Sequence, residues 1–379
     1  MKSIKIYTAP QSCNDDTEKK EPVTIKRHGN NLTKIELLLE VVRKDISDKS
    51  LPPGERIKEA MKAYAHVIRT AEAMKYSQAK MARLIFDFAY FTYAHKQYQY
   101  TEGLYADALK RFRILAEKDP DTYMPQVATT LNDMALLYTT LHISKYALDS
   151  YTEALGIYKN LANGEPDKYS PFVASTLNNL GVFFDESFEY KKSEQYFSEA
   201  LTIYRNLADK NKEVFIPEVA QVLFRLGKLY SYEIEFDLAE KNYSEALTYY
   251  RQLAALYPSV YLRDVASTLH NLGNLYQNKF LYDEAEIYYN GAQDIRRKIS
   301  EKEADIHLPE LACTLRELGK LYTRTKHYEK AEAAFKEIYG IYTELTELNH
   351  DKYIYDLSVA EDELKSVREL IGKEDTDIE

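Results

Sequence analysis

Eight histidines, two cysteines and 60 carboxylates are the groups in this 379-residue chain that could act as acids, bases, nucleophiles or metal ligands. Their spacing builds none of the sites that such chemistry needs. A phosphate cradle requires G-x-x-x-x-G-K-[ST], a dinucleotide turn G-x-G-x-x-G, a zinc protease H-E-x-x-H, and a redox pair C-x-x-C; the chain has none of them. The histidines are dispersed, and Cys13 and Cys313 lie near opposite ends. Neighbouring carboxylates such as Asp185 and Glu186 are what 60 acidic residues produce on a solvated surface. The 34 tyrosines could stack on bases, but Tyr138, Tyr204, Tyr230 and Tyr276 recur at fixed places in a repeating frame, which reads as core packing. The expectation is a chain that is not an enzyme, with no catalytic residue, no metal ligand and no cofactor.

That frame is the dominant signal. "TYMPQVATTLNDMALLY" returns as "KYSPFVASTLNNLGVFF", "VFIPEVAQVLFRLGKLY", "VYLRDVASTLHNLGNLY" and "IHLPELACTLRELGKLY", so that Val127, Val173, Val219, Val265 and Leu311 are each 46 residues apart. Self-similarity at a fixed period marks a repeat array. Within a period, Leu177, Leu180, Gly181 and Phe184 form one stripe at i, i+3, i+4, i+7 spacing and Ser193, Tyr196, Ala200 and Tyr204 a second. Each period is therefore a pair of amphipathic helices. The small residue of the first helix, Ala89, Ala135, Gly181, Gly227, Gly273 and Gly319 in successive copies, lets two backbones approach closely, and these are the expected structural framework.

"LNNLGVFFDESFEYKKSEQYFSEALTIY" and "LHNLGNLYQNKFLYDEAEIYYNGAQDI" resemble the tetratricopeptide repeat, with a large residue, Leu-Gly and an aromatic in the first helix and Ala, aromatic, Ala in the second. The resemblance covers about residues 80 to 345. The period exceeds the family's usual length of about 34 and is similar to the long repeats of kinesin light chains and of arrays beside bacterial signalling and defence domains. Lys159, Arg205, Arg251, Arg297 and Thr343 stand where the family closes its second helix with proline, so that helix should run on through "RNLADK" or "RQLAAL". Pro125, Pro171, Pro217 and Pro309 should then start the next first helix, where a missing N–H is harmless.

The resemblance implies an all-α, right-handed superhelical solenoid of antiparallel helix pairs with capping helices at both ends. Residues 1–30 read as a polar arm, with "SIKIYTA" alternating like a short strand, and 31–77 as N-terminal capping helices, the first opened by the Thr33 and Glu36 capping box. Residues 78–345 form the array of about six helix pairs, 346–371 a closing helix, and 372–379 an acidic tail.

In the family the first helices line the concave groove. Carried over by position, the groove-facing residues include Asn132, Asn178, Phe224, His270 and Arg316 in one column, and Lys228, Asn274 and Lys320 in a second column four residues further on. Amides bond the backbone of an extended peptide, and Lys and Arg hold its carboxylates. These residues imply a protein or peptide partner, acidic where it meets the basic C-terminal half of the groove. They do not reproduce the chaperone-type carboxylate clamp. A net charge of −10 argues against nucleic acid as the main partner, and no apolar run approaches the roughly 20 residues of a membrane helix. The N-terminus lacks the apolar core of a secretory signal, and two cysteines suit a reducing cytoplasm. The expected function is a non-catalytic scaffold or adaptor, with no small-molecule substrate. A peptide-responsive regulatory sensor of a bacterial signalling or defence system is the alternative.

Overall fold

The computed structural model describes residues 52–301 and 304–377, and its regular structure there is entirely helical. The arm at 1–30 and the helix expected from Thr33 lie outside the described residues, as do residues 378 and 379 of the tail. The helices are α1 (Pro53–Ala73), α2 (Gln78–Ala94), α3 (Tyr98–Ala116), α4 (Pro120–Thr140), α5 (Ser144–Gly164), α6 (Pro166–Glu186), α7 (Tyr190–Lys210), α8 (Lys212–Tyr232), α9 (Phe236–Leu256), α10 (Pro258–Asn278), α11 (Tyr282–Ser300), α12 (Ala304–Arg324), α13 (Tyr328–Leu348) and α14 (His350–Asp377). The even-numbered helices from α4 to α14 begin 46 residues apart, at 120, 166, 212, 258, 304 and 350, and the odd-numbered ones from α3 to α13 do the same from 98. The closing helix thus takes the register of one more first helix and reaches Asp377.

The second helices do run on, α7 to Lys210 and α9 to Leu256, so that a single residue, Asn211 or Tyr257, joins each to the next first helix. This corrects the reading of the prolines. Pro125, Pro171, Pro217 and Pro309 lie inside their helices, six residues in, because each first helix starts five residues before them. At that depth proline forfeits a single i to i−4 bond near an end whose first four N–H groups have no intrahelical partner in any case.

The chain divides into two compact units, one ending at Leu180 and the other starting at Gly181. In unit 1, α1 packs on α2, and α2 to α5 pack in sequence. In unit 2, every consecutive pair from α7 to α14 is in contact. Within each repeat of unit 2 the first helix offers a glycine to an aromatic ring of its partner: Gly181 to Phe197, Gly227 to Tyr243, Gly273 to Tyr289 and Gly319 to Phe335. A Cβ at these glycines would come within 2.5 to 2.7 Å of a ring carbon, inside any van der Waals contact. Ser193 reinforces the first of these contacts by donating to the Gly181 carbonyl at 2.8 Å.

Two side-chain ladders join one repeat to the next. A first-helix tyrosine donates to a glutamate 36 residues earlier, on the preceding second helix: Tyr138 to Glu102 in unit 1, and Tyr230 to Glu194, Tyr276 to Glu240 and Tyr322 to Glu286 in unit 2. Lys279 also bonds Glu240, and together Lys279 and Tyr276 hold its carboxyl below the usual range. On the second helices an arginine meets a glutamate 40 residues later: Arg113 with Glu153 in unit 1, Arg205 with Glu245 and Arg297 with Glu337 in unit 2. Arg205 and Arg297 are the residues standing in place of the closing proline, so the position that frees the helix to continue also ties it to its neighbour. Each such exposed pair contributes about 0 to 1 kcal/mol.

The first helix ends in a left-handed residue that is never glycine: Lys96, His142, Phe188, Ile234, Phe280 and Lys326, with φ of 59 to 65°. The N–H of the following residue returns to the helix, as from Glu235 to the Tyr230 carbonyl at 2.9 Å. This is a Schellman closure, and for β-branched Ile234 the conformation is strained.

Two stability effects are expected. Gly273→Ala forces the Tyr289 ring aside and costs about 1 to 3 kcal/mol, read as a lowered midpoint in urea. Ile234→Gly relieves the left-handed strain at a side chain that is 71% exposed and stabilises by up to about 1 kcal/mol, read as a raised melting temperature; an unchanged value would mean that the turn carries no strain.

Candidate functional site

In unit 2 the first helices α8 and α10 enclose a pocket of ≈ 340 Å³. Lys228, Ser231 and Tyr232 come from α8; His270, Asn271, Asn274, Gln277 and Asn278 form one face of α10; Tyr243 closes it from α9 and Glu317 from α12. The i, i+1, i+4, i+7, i+8 spacing on α10 keeps all five polar side chains on one stripe. Tyr289 donates to Asn274 Oδ1 at 2.6 Å, and Asn271 Nδ2 donates to the Ser267 carbonyl at 2.7 Å. Each bond fixes one end of an amide. Gln277 Oε1 is buried with no hydrogen-bond partner among the described residues, an acceptor set for an N–H that the chain does not supply. Lys228 reaches Asp185 only at 3.5 Å and lies 5.2 Å from the centre of the Tyr232 ring.

Moving this lining back three periods, 138 residues, gives the corresponding positions of unit 1: Tyr90, Tyr93, Tyr105, Asn132, Asp133 and Thr140 stand where Lys228, Ser231, Tyr243, His270, Asn271 and Asn278 do. The scaffold is the same and the electrostatics are opposite. Asp133 is 7% exposed and joins no ion pair among the described residues. Burial pushes its carboxyl up to about 7, against the pull of a hydrogen bond from Asn132. Asn132 in turn accepts from Asn179 at 3.3 Å.

The structure therefore brings Lys228, His270 and Asn274 together in one pocket and disperses the other groove candidates. Phe224 packs half-buried against the Tyr243 ring at 5.7 Å. Asn132 lies in unit 1, as does Asn178, which is buried with Oδ1 unpartnered among the described residues. Arg316 is taken up by Glu363 of α14, with Nε 2.8 and 2.9 Å from the two carboxylate oxygens. Lys320 is exposed and pairs with Glu317 at 2.9 Å. Of the framework positions, Ala135 is buried in unit 1 and the four glycines lie beneath their rings.

Sequence reasoning missed Asn271, Asn278, Tyr232, Tyr243 and Glu317. A signal for two of them was present. The column Asp87, Asp133, Asn179, Arg225, Asn271, Glu317, Glu363 is polar in every copy although it touches the framework stripe. Arg225 shows how enclosed the column is: burial lowers its guanidinium pKa, while Tyr250, Asp185, Glu186 and Glu218 act in the other direction.

Sequence profiles of the tetratricopeptide repeat match residues 264–344 and 173–211, and those segments are tetratricopeptide repeats. Among solved structures it is similar to BtubC (BKLC) from P. vanneervenii, at 22% identity and TM-score 0.54 over 66% of this chain and 92% of that one. The apo form of RapI matches at 19% identity and TM-score 0.54, over 81% and 99%. A signal transduction ATPase with numerous domains from Pyrococcus horikoshii, carrying a tetratricopeptide repeat sensor, matches at 17% identity and TM-score 0.52, over 91% and 55%. Likeness at these identities is likeness of fold. Comparison with curated proteins gives no match. Among the described residues no helix is long and apolar enough to cross a membrane, and no three His, Cys, Asp or Glu side chains gather as a metal site.

The electrostatics of Asp133 set a pH dependence. Its carboxyl titrates near 7 in the fold and near 4 in an unfolded chain, so the folded state holds the extra proton. That contribution to stability is complete below about pH 4 and is lost as pH rises through 7. Asp133→Asn removes it. Wild-type protein should lose more in melting temperature than Asp133→Asn between pH 5 and pH 8; parallel curves would place the carboxyl in water.

Proposed function

We propose that this chain is a protein-interaction module that holds an extended peptide segment on the first-helix face of unit 2, with Lys228 taking a carboxylate of the segment. The observation that carries the reading is the pocket between α8 and α10, whose lining holds a stripe of amides with one lysine, Lys228, one carboxylate, Glu317, His270, Ser231 and two tyrosines; Glu317 is itself paired with Lys320. Amides present a donor and an acceptor each, which is the pattern of a peptide backbone, and Gln277 Oε1 is an acceptor already desolvated and waiting for its donor. Leaving such a group unmatched costs about 1 to 3 kcal/mol, so a ligand N–H recovers a cost that the free protein carries.

Charge-assisted bonds to Lys228 add about 1.5 to 3 kcal/mol. Arg316 is not part of this grip, since Glu363 neutralises it; Lys320 lies beyond the pocket and steers acidic segments rather than holding them. The role is that of a scaffold or adaptor with no chemical step of its own.

Selection from a random peptide library displayed on phage, with the full chain immobilised, tests this. The expected result is a set of binders sharing an acidic residue, whose affinity falls at least tenfold in Lys228→Glu at unchanged melting temperature, and falls likewise in Asn274→Leu. Binders indifferent to both substitutions, or a library that yields none, would overturn the reading.

A further inference from the structure

Unit 1 carries a site of its own, and it does not depend on what the unit 2 pocket holds. Asp133 lies on α4, more than nine-tenths buried, and among the described residues no arginine or lysine contributes to its electrostatics. Around it stand Tyr90 and Tyr93 from α2, Tyr105 from α3 and Tyr158 from α5: burial raises the hydroxyl pKa of each, and the Asp133 charge raises it further. Tyr93 and Tyr158 have hydroxyl partners, Thr140 and Thr129. Tyr105 is fully buried, and its Oη has no partner among the described residues. The remaining groups near Asp133 are the neutral amides of Asn132 and Asn179, and Asp87 of α2 is already paired with Arg83. A carboxylate walled by aromatic rings with no internal counter-ion is a costly arrangement for a free protein, and one that a cation relieves twice, by charge and by the ring faces. The register makes the point sharper, because the equivalent positions on α8 and α10 hold Lys228 and Asn271: the tyrosine-for-lysine and aspartate-for-asparagine exchanges invert the sign of the site.

We propose that Asp133, with Tyr90, Tyr93 and Tyr105, forms a binding site for a guanidinium or ammonium head, supplied by a basic side chain of a partner peptide. Its carboxylate accepts the cation's N–H bonds, and the rings replace the water that the cation leaves behind. Since only the ionised carboxylate binds a cation, affinity rises with pH through the titration of Asp133, by about tenfold from pH 6 to pH 8 for a group titrating near 7.

The probe is the peptide acetyl-Gly-Arg-Gly-amide, with its citrulline counterpart as the neutral isostere, added to full-length protein labelled with ¹³C at the aspartate carboxyls. The Asp133 resonance is assigned by its loss in Asp133→Asn, a substitution the fold accepts because Asn179 and Asn271 hold the same register. At saturation the arginine peptide should lower the apparent pKa of Asp133 by about one unit or more, and the citrulline peptide should not move it. In Asp133→Asn, and in Tyr90→Lys, which places a fixed ammonium where α8 has one, affinity for the arginine peptide should fall at least tenfold. Agmatine, a free guanidinium of similar reach, separates the sources: weaker binding than the peptide supports a peptide side chain, and tighter binding overturns that assignment. Equal response to arginine and citrulline, or an arginine affinity unchanged in Asp133→Asn, would overturn the site itself.

Discussion

Each repeat of unit 2 depends on one contact, the ring of the second helix lying on a position of the first helix that has no Cβ. The clearance at Gly181, Gly227, Gly273 and Gly319 is too small for a methyl group, so the distance between the paired helices is set by a ring thickness. Large side chains then have to fill what the close approach leaves at its edges. Leu315, Leu318 and Ile338 do this around the Phe335 ring, in a single cluster with Tyr289 and Tyr322. Alternating small and large residues is how interlocking layers reach crystal-like density, and here the alternation is written into the 46-residue period.

A spacing fixed so tightly leaves neighbouring columns free to change. The residue four positions after each 270-type site can be Lys228, Asn274 or Lys320, and the next column can be Asp133, Arg225, Asn271 or Glu317, without altering the frame that carries it. Stability and variation therefore rest on different residues of the same helix. The Tyr–Glu ladder lies on the frame's side of this division: its hydroxyls are tied to glutamates of the preceding second helix, so these tyrosines brace the stack and are not available for a ligand.

The polar column is where local rules are broken. Asp133 and Arg225 are enclosed ionisable groups whose pKa values burial displaces in opposite directions, up for the acid and down for the guanidinium. Uncompensated charge in a low-dielectric setting is destabilising, and a repeat array tolerates it because each repeat draws stability from its neighbours. Departures from local consistency in an otherwise regular chain concentrate at functional positions, and in both units they fall in the same register.

The sequence by itself determined the period, the pairing of helices, the small-residue positions and the overrun of the second helices, because a repeat shows its contacts as invariances: Val127 to Leu311 stay aliphatic and Gly181 to Gly319 stay glycine while positions outside the frame drift. Lys228, His270 and Asn274, which helical periodicity put in the groove-facing register, line one pocket. What the sequence left undecided were facts about the third dimension. Helix onset five residues ahead of Pro171 and Pro217 follows from the one-residue joints at Glu165 and Asn211, which no pattern announces. That Arg316 is spent on Glu363, 47 residues away, depends on how α14 docks. The reversal of charge between the Asp133 and Lys228 surroundings likewise needed the tertiary structure, because a carboxylate reads the same in a sequence whether it lies in water or among four tyrosines, and only burial separates the two.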